Sequence, residues 1–219
     1  SYTDVFTYNI TTLESLLIYA MKTITYQSDY LGNGFEFATI NQPDDYEGKV
    51  VATVIRKQCS MPSNKAVLYV HGFNDYFFQS EMVQKFNEKE YHFYAIDLRK
   101  YGRSTLPHHK SNNMRSLTEY FADLDEALDI IRQEGNEQVL LSGHSTGGLL
   151  VTLYASERVG NEEFDTIFCN SPFYDMNMPG YQKRLLVPLV ALFGKYFPDV
   201  LLPGKISEWY GHSLHGEKK

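Results

Sequence analysis

The stretch Val139-Leu140-Leu141-Ser142-Gly143-His144-Ser145-Thr146-Gly147-Gly148, continuing into Leu149-Leu150-Val151-Thr152-Leu153-Tyr154, decides how this chain is read. A short apolar run predicts a strand. It is followed at once by the spacing G-x-S-x-G and then by a segment of helical character. A bare G-x-S-x-G is common by chance, and the strand before it and the helix after it are what give it mechanical meaning. In a sharp strand-to-helix turn a serine hydroxyl is pushed out towards solvent. Gly143 and Gly147, on either side of His144, Ser145 and Thr146, keep side chains from colliding there. Ser145 is therefore the candidate nucleophile. No Lys-Ser or Lys-Thr pair follows the glycines and the G-x-G-x-x-G spacing is absent, so neither a phosphate loop nor a dinucleotide site is expected.

Working outward, Ala66 to Val70, Phe93 to Ile96 and Ile167 to Cys169 are also continuous rather than alternating apolar runs, as expected of strands covered on both faces in a parallel sheet. Between the runs lie helical segments. The clearest spans Thr118 to Glu134, with Phe121, Leu124, Leu128 and Ile131 on one stripe, a capping box at Ser116-x-x-Glu119 and a terminator at Gly135. Gln79 to Lys89 and Thr146 to Glu157 fill the other crossovers. Upstream, Phe35 to Asn41 and Lys49 to Lys57 read as two antiparallel strands joined by a turn-rich link, Gln42 to Gly48. A hairpin followed by β-α-β-α-β-α-β predicts an α/β domain with a mostly parallel sheet and helices on both faces.

The strand ending at Val70 runs into His71-Gly72-Phe73-Asn74-Asp75. A serine nucleophile needs hydrogen-bond donors where the oxyanion will form, and backbone N–H groups can supply them. These are assigned to Phe73 and to Thr146, with Gly72 letting the chain turn close to the substrate carbonyl and His71 supporting the loop. Asp97-Leu98-Arg99-Lys100-Tyr101-Gly102-Arg103-Ser104 follows the next strand. There Asp97 is expected to accept backbone hydrogen bonds and Gly102 to make a turn. His108 and His109 read as exposed loop residues, no metal site is expected, and no cofactor is implied because hydrolysis by this route needs only water.

These three motifs together resemble the α/β-hydrolases, specifically the serine aminopeptidase S33-like or monoacylglycerol lipase (lysophospholipase)-like branch. Asn170-Ser171-Pro172-Phe173 is similar to that branch too. The resemblance covers roughly residues 35 to 219 and implies hydrolysis of a carboxylic ester of lipid or lysophospholipid type. The alternatives are a peptidase or amidase of serine aminopeptidase type and a non-catalytic binding protein of the same fold. It implies the order nucleophile, acid, histidine, with a cap inserted before the last strands. Residues 1–175 are then the core. Residues 176–219 are a cap or lid, a broken helix pair over Tyr181 to Leu202 that presents Leu185, Leu186, Val187, Leu189, Val190, Leu192 and Phe193 over the serine, and a frayed tail. Neither His212 nor His215 follows a strand, so acid and base are expected beyond this chain. It would then be the N-terminal two-thirds of a longer serine hydrolase, inactive alone. A compact triad of Asp175 with His212 or His215 is the other option.

Composition agrees with a globular enzyme. At 219 residues and 43% hydrophobic, with 17 Tyr, the chain can bury its own core, and disorder is excluded. Its net charge of −7, without a block of Lys or Arg, argues against nucleic acid or an anionic membrane and does not choose among small-molecule substrates. A small-molecule ester, lipid or short peptide is the partner the resemblance implies. The longest apolar run, Leu185 to Phe193, is nine residues, far short of the roughly 20 that span a bilayer. It is instead a surface for possible self-association. Two distant cysteines, Cys59 and Cys169, read as free thiols. The acidic start, Ser1-Tyr2-Thr3-Asp4, lacks the features of a signal peptide, so a cytoplasmic setting is expected.

Overall fold

The computed structural model describes residues 24–158, 160, 163–175, 179–197 and 200. Contacts divide the chain into two compact units, one up to Tyr174 and one from Asp175. The first contains β1 (Gln27–Ser28), β2 (Glu36–Asp45), β3 (Gly48–Lys57), β4 (Lys65–Val70), α1 (Ser80–Asn87), β5 (Tyr91–Asp97), α2 (Phe121–Gln133), β6 (Gln138–His144), α3 (Thr146–Glu157) and β7 (Thr166–Asn170). The strands form one sheet in the order β1-β2-β3-β5-β4-β6-β7. From β1 to β3 and across to β5 the pairing is antiparallel, and β5, β4, β6 and β7 run parallel.

Alternate side chains of β4, β5 and β6 feed two cores, which is why their sequences are unbroken apolar runs. β7, expected to be covered on both faces, is instead the edge strand among the described residues, with Ile167 and Phe168 exposed and Cys169 packed against the core. Leu68, Ile96 and Leu141 face Leu124, Leu128 and Ile131 of α2 and Leu150, Val151 and Tyr154 of α3. Val67, Tyr69, Phe93 and Ala95 face the other way, with Phe77 of the preceding loop and Val83 of α1. The expected stripe of α2 is buried throughout.

Three boundaries differ from the sequence reading. The hairpin link is shorter than Gln42 to Gly48: β2 runs to Asp45 and pairs with Gly48 across a two-residue loop, while Pro43 sits in a bulge between Gln42 and Asp45. A bulge is where a strand tolerates a residue that cannot donate to the ladder. The α2 segment begins as a 3₁₀ turn, Leu117–Tyr120, and the Ser116–Glu119 capping box closes that turn. Gly135, at φ +87°, ends the helix as expected. Finally, among the described residues of the second unit there is one helix, α4 (Gly180–Tyr196), running unbroken through Pro188. Proline there removes one backbone donor, and the leucine, valine and alanine around it carry the helix on. None of its residues is buried, and Lys183 is ion-paired with Asp175. His212, His215, Leu201 and Leu202 lie outside the described residues, as does the tail. Among the described residues no helix is long and apolar enough to cross a membrane. Cys59 and Cys169 are free thiols.

Candidate active site

The register of the parallel strands sets Val70 beside both Ile96 and Gly143, and His144 beside Asn170. Four carboxyl ends therefore open on one edge of the sheet, where ligands of open α/β sheets bind. Ser145 sits at that edge, between β6 and α3, at φ 52° and ψ −119°. A non-glycine residue in this region is strained, and the strain is held by the neighbours. The Ser145 N–H donates to the Asn170 carbonyl at 3.1 Å, and its own carbonyl accepts from Leu149 N at 3.2 Å and Phe173 N at 3.0 Å.

Glycines make the turn possible by close approach. A Cβ on Gly143 would lie 2.4 Å from the Gly147 carbonyl oxygen, and one on Gly147 would lie 2.4 Å from the carbonyl oxygens of both Val70 and His71. Gly148 packs on Pro172, and a Cβ at Gly72 would stand 3.2 Å from Ser145 Cβ. The first turn of α3 is thus seated directly on the ends of β4 and β6. Its N-cap, Ser145, makes no side-chain cap bond to the first-turn amides of Thr146, Gly147 and Gly148, which precede the first intrahelical bond at Leu149.

His71 is buried and neutral. Its Nε2 lies 3.2 Å from the Leu98 N–H, which can only donate, and its Nδ1 lies 2.8 Å from the Gly72 carbonyl, which can only accept. The proton is therefore on Nδ1, and both ring nitrogens are spent holding the loop that carries Phe73. Burial lowers its pKa, partly opposed by the Gly72 carbonyl and by Asp97 and Asp75. A cavity of about 10 Å³, room for one water, is lined by Phe73 and Thr146 together with Leu98, Tyr101, Tyr120 and Leu150. Phe73 and Phe173 are exposed beside the serine. His144 turns its Nδ1 to the Asn170 carbonyl at 3.2 Å. No described side chain hydrogen-bonds Ser145 Oγ.

The structure thus brings Ser145, Thr146, Gly147, His71, Gly72 and Phe73 to one place. His108 is exposed and His109 half-buried; each sets its Nε2 2.9 Å from the Lys49 carbonyl. Asp97 accepts from the amides of Phe77 and Arg103, and Gly102 has φ 44°. Pro172, in the run already singled out by its resemblance, packs on Gly148, whereas Asp29, which lies before the hairpin, carried no signal in the sequence reading.

Residues 61–214 match the family described as Serine aminopeptidase, S33. The chain belongs to that family. Among curated relatives of this S33 chain, epoxide hydrolase 4 of Mus musculus is 32% identical over 89 residues, which is 41% of this chain and 23% of the mouse protein. The Homo sapiens protein is 30% identical over the same share. The chain thus spans under a quarter of the length of the curated relatives it matches. Among solved structures, a soluble variant of monoglyceride lipase from Saccharomyces cerevisiae superposes with a TM-score of 0.55 at 19% identity, over 90% of this chain and 63% of the lipase. A carboxyl esterase from Bacillus coagulans gives 0.56 at 17% identity, over 72% and 50%. The fold of the S33 chain is that of the α/β-hydrolases.

Proposed function

We propose that this S33 chain carries the nucleophile and oxyanion hole of a serine hydrolase acting on carboxylic esters of lipid or lysophospholipid type. The observation that carries the reading is Ser145, held at φ 52° between the end of β6 and the uncapped N-terminus of α3. In the proposed reaction Ser145 Oγ attacks the ester carbonyl. The Thr146 and Phe73 N–H groups hold the oxyanion, and the tetrahedral intermediate collapses to an acyl-serine with loss of the alcohol. Water then attacks the acyl-serine carbonyl, the acyl carbon–Oγ bond breaks, the carboxylic acid leaves and the Ser145 hydroxyl is restored. His71 is no candidate for the base, because both its nitrogens are engaged. The base and its acid are assigned outside the described residues.

The ester reading draws on chemistry at the site. An alkoxide leaves with less proton assistance than an amine, so an ester demands least of the base. The exposed rings of Phe73 and Phe173 beside the serine suit an apolar acyl group. The family description favours an aminopeptidase as second reading, so the test uses both substrates. The intact mass of the chain is measured before and after a fluorophosphonate, then turnover is compared on a long-chain ester and an aminoacyl amide. In a protein that also supplies the base and its acid, one adduct on Ser145, lost in Ser145→Ala, with ester turnover above amide turnover, is the expected result. The absence of an adduct refutes an activated serine in this chain.

A further inference from the structure

The loop from His71 to Phe77 that presents the Phe73 amide is fixed at both ends. His71 holds the near end. At the far end Phe77, whose ring is fully buried against Phe35, Tyr69 and Phe93, has both backbone polar groups taken up by one cluster. Its N–H donates to Asp97 Oδ1 at 2.8 Å, and its carbonyl accepts from Arg103 Nη1 at 3.0 Å. Arg103 also donates from Nη1 to Asp97 Oδ2 at 2.8 Å, from Nε to Asp29 Oδ2 at 2.7 Å and from Nη2 to Asp29 Oδ1 at 3.0 Å. Its own N–H returns to Asp97 Oδ2 at 2.9 Å, and Leu31 N–H donates to Asp29 Oδ1 at 2.9 Å. The two carboxylates are wholly buried at their side chains and Arg103 nearly so.

The planar fork of arginine is what lets one side chain reach two carboxylates and a carbonyl, and an ammonium group has no such geometry. Gly102 permits the close approach, since a Cβ there would stand 2.5 Å from Asp97 Oδ2 and 2.6 Å from Tyr76 Cβ. Asp29 reaches this point from 74 residues away in sequence.

We propose that Asp29, Arg103 and Asp97 form a clamp that sets the position of the Phe73 amide, making Arg103 and Asp29 positioning residues for the reaction at Ser145. The catalytic consequence rests on the proposed function, whereas the clamping of the loop does not. The test uses the 219-residue chain with Arg103→Ala, Arg103→Lys and Asp29→Asn. Amide hydrogen exchange in residues 72–78 is expected to accelerate about tenfold or more, the equivalent of one lost charged hydrogen bond, while the amides of Ala66 to Val70 stay as protected as in the parent. Labelling of Ser145 by a fluorophosphonate should slow by about 10- to 100-fold. Added guanidinium should restore it in Arg103→Ala, and Arg103→Lys should remain slow. Exchange that rises equally in loop and strand overturns the clamp, as does labelling at the parent's rate. If the unsubstituted chain does not label, the proposed function fails for this chain. The loop-selective exchange then decides the clamp alone, with Asp29→Asn as the variant that keeps the Arg103–Asp97 pair and so the fold.

Discussion

Replacing Gly147 by alanine tests whether the seat of α3 on the sheet governs the site. The added Cβ would lie 2.4 Å from the carbonyl oxygens of Val70 and His71, whereas ordinary contact begins at 3.4 Å, leaving a deficit of 1.0 Å. Both oxygens belong to the backbone at the end of β4, a central strand laddered to β5 on one side and β6 on the other. The strand is therefore the harder partner to move, and the shift falls on the first turn of α3. Overpacking of this kind costs about 1–3 kcal/mol. Thr146 moves with the helix while Phe73 stays with its loop, so the two proposed donors separate by about the same ångström. A misplacement of that size costs on the order of 10²-fold in rate. Gly135→Ala is the comparator. It has nothing within 4 Å of its Cβ but sits at φ +87°, so it pays only a backbone penalty of about 1–2 kcal/mol. Urea denaturation and second-order fluorophosphonate labelling of the parent and both variants give the comparison. Gly147→Ala should lose both stability and reactivity, and Gly135→Ala stability alone. Equal reactivity in the two variants would show that the seat of α3 does not set the donor geometry.

Other expectations follow from the same contacts. Ser145→Gly should abolish labelling and raise stability by about 1–3 kcal/mol, because glycine adopts φ 52° without the strain that serine bears; a lower urea midpoint would contradict this. Asp123→Ala should cost about 3–5 kcal/mol, since it strands Arg99, which holds Asp123 from Nη2 at 2.7 Å with both side chains nearly dry. A loss under about 1 kcal/mol, the scale of an exposed pair, would refute the account. The depressed pKa of His71 means the unfolded chain binds the extra proton first as pH falls. Its contribution is therefore whole above about pH 6.5 and is lost as pH drops from there through the folded pKa. His71→Asn should flatten the slope of stability below about pH 6.5, and an unchanged slope would place the pH dependence elsewhere.

The parts of this molecule that could be read in advance are those whose physics is local. Leu68 and Val139 announce buried strands because a strand covered on both faces must be apolar at every position, and that pattern sits in a few consecutive residues. Gly143 and Gly147 announce the turn because the backbone contact they permit is made within the turn and the adjacent strand ends. Where local rules compete, the reading slipped. Pro43 falls in the stretch read as the hairpin link, yet the strand absorbs it in a bulge; Pro188 falls in the stretch read as a broken helix pair, yet α4 runs through it.

The clamp was illegible for another reason. Asp97 could be assigned to backbone hydrogen bonds because it stands at a strand end before a glycine turn, but nothing about Asp29 distinguishes it from any acid in a turn. Its meaning arises only when folding brings it to Arg103, and the cost of burying a guanidinium makes that meeting obligatory. Before β1 and β2 pair and bring Asp29 into reach, Arg103 has at most one carboxylate for its several donors, and the amide of Phe73 sits on a loop with one end free. Closing the hairpin edge of the sheet and fixing the loop that carries the proposed Phe73 donor are thus coupled through Asp29. Substitutions at Asp29, on the antiparallel side of the sheet, should be felt at Ser145, on the parallel side.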